Sequence, residues 1–107
     1  MKIKHFAGYG TVNAKKVLDL KYTNKRFSCY ENPRIVNIVV SGDHECGLVR
    51  KDVYDVCEWL LKKLVKDFKD GSHDYRSILE MDVAPYLELN SEGEYEEKCL
   101  YKVVYLR

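Results

Sequence analysis

The stretch Asp52 to Phe68, DVYDVCEWLLKKLVKDF, constrains this chain more than any other. Its apolar residues fall at Val53, Val56, Cys57, Leu60, Leu61, Leu64, Val65 and Phe68. That is the i, i+3, i+4, i+7 spacing of one buried helical stripe. Asp52 stands where an N-cap belongs, with Asp55 in place of the Glu of a full capping box. Asp70-Gly71-Ser72 supplies a stop near Lys69. The flanking sequence reads as short strands and turns, so this helix is the one element available to cover a sheet.

The strand candidates follow from alternation and from turn residues. Ile3 to Val12 is Tyr- and Gly-containing, with Gly8 and Gly10 bracketing Tyr9 as at a bulge. No helix pattern follows that GxG, so it is not a nucleotide fingerprint. Val17 to Tyr22 and Arg26 to Tyr30 read as two strands joined by the polar turn Thr23-Asn24-Lys25, and Asn32-Pro33 breaks the chain. Arg34 to Val40, RIVNIVV, is the most β-branched run and is expected at the sheet centre. Ile78 to Val83 alternates as a half-buried strand that Pro85 interrupts, which predicts an edge or a bulge. Tyr86 to Leu89 and Lys98 to Leu106 form a hairpin about Asn90-Ser91-Glu92-Gly93. The order strands, helix, strands predicts an α+β fold: an antiparallel sheet of about five strands with one amphipathic helix on one face.

A chain of 107 residues buries one modest core, so a single domain over 1–107 is expected. Apolar residues at 46% and charged residues at 33% exclude a disordered chain. No apolar run approaches a membrane span, and the N-terminus lacks a secretory h-region, so a cytoplasmic protein is expected. The four cysteines, Cys29, Cys46, Cys57 and Cys99, make no CxxC pair and read as small buried hydrophobes rather than zinc ligands. No cofactor or metal is implied.

Net charge is only +1, but it is unevenly spread. Residues 1–30 carry seven cations (Lys2, Lys4, Lys15, Lys16, Lys21, Lys25, Arg26) against Asp19 alone. Residues 71–107 carry eight acids against four cations. Such asymmetry speaks to partners rather than to fold, or else reflects ordinary solvated strand faces and loops.

Four groups of residues are candidates for chemistry or contact. Asp43-His44-Glu45 is the densest titratable cluster and offers a general base or a metal ligand, or else a solvated loop. Trp59 is placed by helical geometry opposite the Leu60-Leu64 stripe, beside Asp55, Lys62, Lys63 and Lys66. An exposed Trp among lysines is what an interface hot spot looks like; the alternative is packing against a loop or strand end. Glu92, Glu94, Tyr95, Glu96 and Glu97 form an acidic hairpin tip that imitates phosphates or simply blunts an edge. Lys2, Lys4, Lys15, Lys16, Lys25 and Arg26, with Phe6, Tyr9, Tyr22, Phe27 and Tyr30 among them, form a basic and aromatic set suited to nucleic acid, although no known module is present. Tyr95, Tyr101 and Tyr105 share one parity of the last strand, which fits either a contact stripe or residues simply half-buried on the sheet.

Val40 to Phe68, VSGDHECGLVRKDVYDVCEWLLKKLVKDF, resembles segments of small accessory proteins carried by phages and mobile elements of Gram-positive bacteria. The opening Lys2 to Val12, KIKHFAGYGTV, is similar to proteins of the same kind. Some of these are anti-CRISPR proteins, which block the host's RNA-guided nuclease by occupying its nucleic-acid-binding surfaces. The resemblance carries no functional residue with it. It implies a non-enzymatic inhibitor whose partner is a bacterial CRISPR-Cas effector. The other expectations are a nucleic-acid-binding accessory protein using the basic N-terminal strands, and a small enzyme centred on His44. Exposed terminal strands also leave a homodimer open.

Overall fold

Strand alternation and a single helical stripe together decide the architecture. The computed structural model describes residues 2–4, 11–30, 32–42, 50–66, 68 and 77–106. Its strands are β1 (Lys2–Lys4), β2 (Thr11–Lys21), β3 (Pro33–Gly42), β4 (Ile78–Leu89) and β5 (Tyr95–Leu106), and its helix is α1 (Arg50–Leu64). They form one antiparallel sheet in the order β1-β2-β3-β5-β4: four long strands, with three-residue β1 at one edge. The fold is α+β, as the element order predicts.

The β-branched run occupies the middle of the sheet as β3, and register carries its burial to both neighbours. Val36, Ile38 and Val40 face the helix. Val40 is opposite Ala14 on β2 and Cys99 on β5; Ile38 is opposite Tyr101, and Val36 is opposite Val103. Val56, Cys57, Leu60 and Leu61 of α1 close on that row, and all are fully buried. Each such aliphatic side chain contributes roughly 1.5–3 kcal/mol by leaving water. Burial also pushes the Cys57 thiol up to about 12, so it is an inert hydrophobe.

A polar network closes one end of this core. Asp19 accepts hydrogen bonds from Arg34 Nε at 2.9 Å and from the Tyr105 hydroxyl at 2.8 Å, and pairs with Lys16 at 3.6 Å. Burial pushes the Asp19 carboxyl up, but the hydrogen bonds from Tyr105 and Arg34 and the charges of Arg34 and Lys16 outweigh it and hold the group below its usual value. Burial, then the bond to Asp19, push Tyr105 up to about 12. Phe68 stacks edge-on against the Tyr105 ring, with centroids 6.0 Å apart.

Several expectations are corrected. The helix is Arg50–Leu64 rather than Asp52 to Phe68, so Asp52 lies within it and is not its N-cap. After Leu64 the chain makes one more α-type bond, Val65 N to Leu61 O, then tightens to Phe68 N donating to Val65 O. The stripe outlasts the regular helix because Val65 and Phe68 still pack on the core.

Arg26 to Tyr30 is not a strand. Asn24 Oδ1 accepts the Arg26 amide at 2.9 Å, which caps a 3-10 turn at Lys25–Phe27. Val17 to Lys21 is the end of the longer β2, which bulges at Val17, and Tyr22 lies just past it. Pro85 does not interrupt its strand: β4 runs through it as the sheet's edge, where a missing N–H is tolerated, and the bulge falls at Leu79 instead. Cys57 and Cys99 are buried as expected, but Cys29 is exposed. Gly8, Tyr9, Gly10 and Cys46 lie outside the described residues. Among the described residues, no helix is long and apolar enough to cross a membrane.

Candidate protein-binding surface

The hairpin of β4 and β5 is longer than the sheet that supports it. β3 follows β5 only from Leu106 to Cys99, whereas β4 follows it on to Tyr95. Residues 86–89 and 95–98 are therefore a two-stranded ribbon projecting past the sheet. Its turn is built by Asn90, whose Oδ1 accepts the amides of Glu92 at 2.9 Å and Glu94 at 3.0 Å. The Asn90 amide donates to Glu94 O at 2.8 Å, and Gly93 takes φ +80°, where glycine alone is unstrained.

The two faces of the ribbon differ in chemistry. On the face turned away from the helix side, Glu88 and Glu96 stand directly opposite one another. Like charges at such a pair repel. Lys98 answers Glu88 at 2.7 Å, Tyr86 donates to Glu88 at 3.2 Å, and Asn90 Nδ2 donates to Glu96 at 3.1 Å. The bond and charge of Lys98 hold the Glu88 carboxyl below its usual value. The other face continues the parity of the core residues Cys99, Tyr101 and Tyr105. It carries Leu87, Leu89 and Tyr95, with Glu97 opposite Leu87. Leu87 is 64% exposed, Leu89 57% and Tyr95 70%. Glu92, Glu94 and Glu97 are exposed around them. The tip is thus an apolar face rimmed by carboxylates.

The expected tyrosine stripe is real in parity but not uniform: Tyr101 and Tyr105 are fully buried, and Tyr95 is in water. The sequence places Glu92, Glu94, Tyr95, Glu96 and Glu97 at the hairpin tip, and the structure brings them together there. The sequence does not single out Leu87 and Leu89, which alternation alone presents as ordinary buried strand positions. The signal available was the mismatch between a hairpin reaching Leu89 and a central strand whose run stops near Gly42.

The second expected patch is divided. Lys62, Lys63 and Lys66 are exposed, and Lys62 pairs with Glu58 at 2.9 Å. Trp59 is not: it is half-buried and packed against the core cluster. It lies three residues after Val56, ~60° round the helix from it, so a large indole meets the core cluster from the flank of the stripe. The outward-facing Trp predicted from the helical wheel is corrected accordingly.

The basic set does not form one surface either. Lys15 is opposite Val39 and Lys16 opposite Ile38, so the two point to different faces of the sheet. Lys16 is drawn to Asp19, and Arg26 pairs with Glu80 at 3.3 Å and lies over the Phe27 ring at 5.3 Å. Tyr22, Phe27 and Tyr30 turn on one another, with centroids 5.8 and 6.5 Å apart, and Phe27 is buried. Lys25 stands exposed on the same 3-10 turn, while Lys2 and Lys4 belong to β1, at the far edge of the sheet from β4. Asp43, His44 and Glu45 lie outside the described residues. Among the described residues, no three His, Cys, Asp or Glu side chains gather as a metal site.

Comparison with known protein families, with characterised proteins and with solved structures finds no match in any of the three.

Proposed function

We propose that this chain is a non-enzymatic, protein-binding inhibitor that inserts the β4–β5 ribbon into a groove on its target. The observation that carries this is the exposure of Leu87, Leu89 and Tyr95 on one face of a projecting ribbon with an acidic rim. Apolar residues clustered at a tip gain from desolvation only when something covers them, and Tyr is among the residues enriched at such contacts. The rim selects the groove: five carboxylates (Glu88, Glu92, Glu94, Glu96, Glu97) against Lys98 alone between residues 86 and 98 favour a basic-walled one.

A bacterial RNA-guided nuclease, the target class implied by the resemblance of Val40 to Phe68, fits that chemistry. Its guide–target channel is positively charged and recognises backbone rather than sequence. In this reading the rigid sheet and helix hold the ribbon out, and the acidic tip competes locally with phosphates. The chain's near-zero net charge rules out imitation of DNA over the whole surface.

The test is inhibition of target cleavage by purified RNA-guided nucleases, comparing the native chain with Tyr95→Ala and Leu87→Glu, each checked for fold by circular dichroism. Inhibition that weakens by at least roughly 30-fold in both variants, as for hot-spot residues, is the expected result. Inhibition untouched by both changes removes the ribbon from the interface. If no nuclease of this class is inhibited, the target assignment fails. Capture of proteins from a bacterial lysate by the native chain but not by the variants then decides whether the ribbon binds protein at all.

A further inference from the structure

A second surface lies at the opposite side of the sheet, on the outer edge of β2. β1 pairs only with Thr11, Val12 and Asn13. From Lys15 to Lys21 the described residues supply no strand beyond β2, so among them the outward amides and carbonyls of this edge have no ladder partner, and of these the Asp19 carbonyl accepts a side-chain bond from Arg34 Nη2 at 3.0 Å. Buried sheets leave few such groups unpaired, and an exposed row of them is a template for another strand. This edge also carries Val17, Leu18 and Leu20, which are 48%, 36% and 52% exposed.

We propose that the outer edge of β2, Lys15–Lys21, accepts an extended acidic segment of a protein partner as an added strand. Backbone pairing supplies the affinity, as in other cases of strand addition, and the side chains supply the selection. Lys15, Lys16 and Lys21 are exposed along the edge. The one acid there, Asp19, is turned inward and held by Arg34, Tyr105 and Lys16, so it does not repel an incoming carboxylate. Leu18 and Leu20 share a face and offer the partner's alternate residues an apolar strip.

The same features exclude the other occupants. A second copy pairing through its own β2 sets lysines against lysines, which opposes the contact. Nucleic acid supplies phosphates, which only accept hydrogen bonds, whereas the edge alternates donors and acceptors. The exposed side chains between the lysines, Val17, Leu18 and Leu20, are aliphatic and give bases no stacking platform. The Val17 bulge bends the edge and limits the added strand to a short one.

The experiment uses a fluorescent peptide of about seven residues, within the usual strand length, alternating Glu with Val. Its partners in the comparison are the same peptide N-methylated at alternate amides, a Lys-for-Glu version, and a single-stranded oligonucleotide. The acidic peptide binds the full chain. Its affinity falls at least about tenfold (~1.4 kcal/mol) on N-methylation, and by a similar factor in the double variant Lys15→Glu/Lys21→Glu. Both lysines are exposed, and circular dichroism confirms that the variant folds. Failure of the acidic peptide to bind at about 1 mM, equal binding of the N-methylated or the lysine peptide, or tighter binding of the oligonucleotide overturns the proposal. So does a concentration-dependent dimer that the double variant abolishes. Tyr95→Ala leaves peptide binding unchanged, which separates this edge from the ribbon.

Discussion

Tyr101 and Tyr95 stand on the same strand, six residues apart, with the same parity and the same face of the sheet to occupy. One is fully buried and the other 70% exposed. The difference is not in the residues but in what lies beside them. Tyr101 is opposite Ile38 of β3 and beneath α1, whereas Tyr95 is opposite only Leu89, beyond the last residue that β3 pairs with β5. The same contrast separates Val83, which packs on the core, from Leu87 and Leu89 further along β4. A single hairpin thus serves two purposes: its inner half completes the core, and its outer half carries apolar side chains that the core cannot reach.

The comparison is sharpened first by Tyr101→Ala. Truncating a fully buried aromatic is expected to lower the unfolding free energy by about 3–5 kcal/mol, read from urea transitions. A loss below about 1 kcal/mol would mean that the inner half is not the packed one.

Asp19→Ala comes next, at about 1–3 kcal/mol, because it leaves Arg34 Nε and the Tyr105 hydroxyl without their carboxylate acceptor, while Arg34 Nη2 keeps its bond to the Asp19 carbonyl. This network is also the main test of acid behaviour. The folded Asp19 carboxyl lies below its ordinary 3.8, so its contribution is present above about pH 4 and is lost as pH falls through the folded value. In Asp19→Ala the acid limb of the stability curve flattens.

The alkaline limb runs the other way. Tyr105 and Cys57 both hold their protons up to about 12 in the folded chain, against 10.0 and 9.0 ordinarily. Their contribution is complete below pH 9 and declines as pH rises toward 12, since the unfolded chain gives up those protons first. Tyr105→Phe removes the part of that decline above pH 10. An unchanged alkaline limb in this variant would show that the hydroxyl is not buried against Asp19.

The smallest expected effect is at the tip. Tyr95→Ala changes stability by no more than about 0.5 kcal/mol, as for a surface position. A loss comparable to that of Tyr101→Ala would break the distinction between the two halves, because it would place Tyr95 against something that supports the fold.

Much of the architecture was legible because it depends on local periodicity. The stripe from Val53 to Leu61, the β-branched run at Val36 to Val40 and the turn chemistry of Asn90 and Gly93 each define an element within a few residues of themselves. Arg26 to Tyr30 is not the strand its residues suggest because a single side-chain bond, the Arg26 amide donating to Asn24 Oδ1, outweighs a weak strand propensity. Trp59 departs from its helical-wheel position because a wheel gives the angle of a side chain but not its length, and an indole on the flank packs against the core cluster.

The sequence by itself determined the elements, their order and the acidic character of the hairpin turn, since periods and turn residues act over a handful of positions. Only the tertiary structure decided which apolar residues would be left in water. That depends on how far β3 extends beside β5, and strand register between distant segments is written in no single stretch of chain.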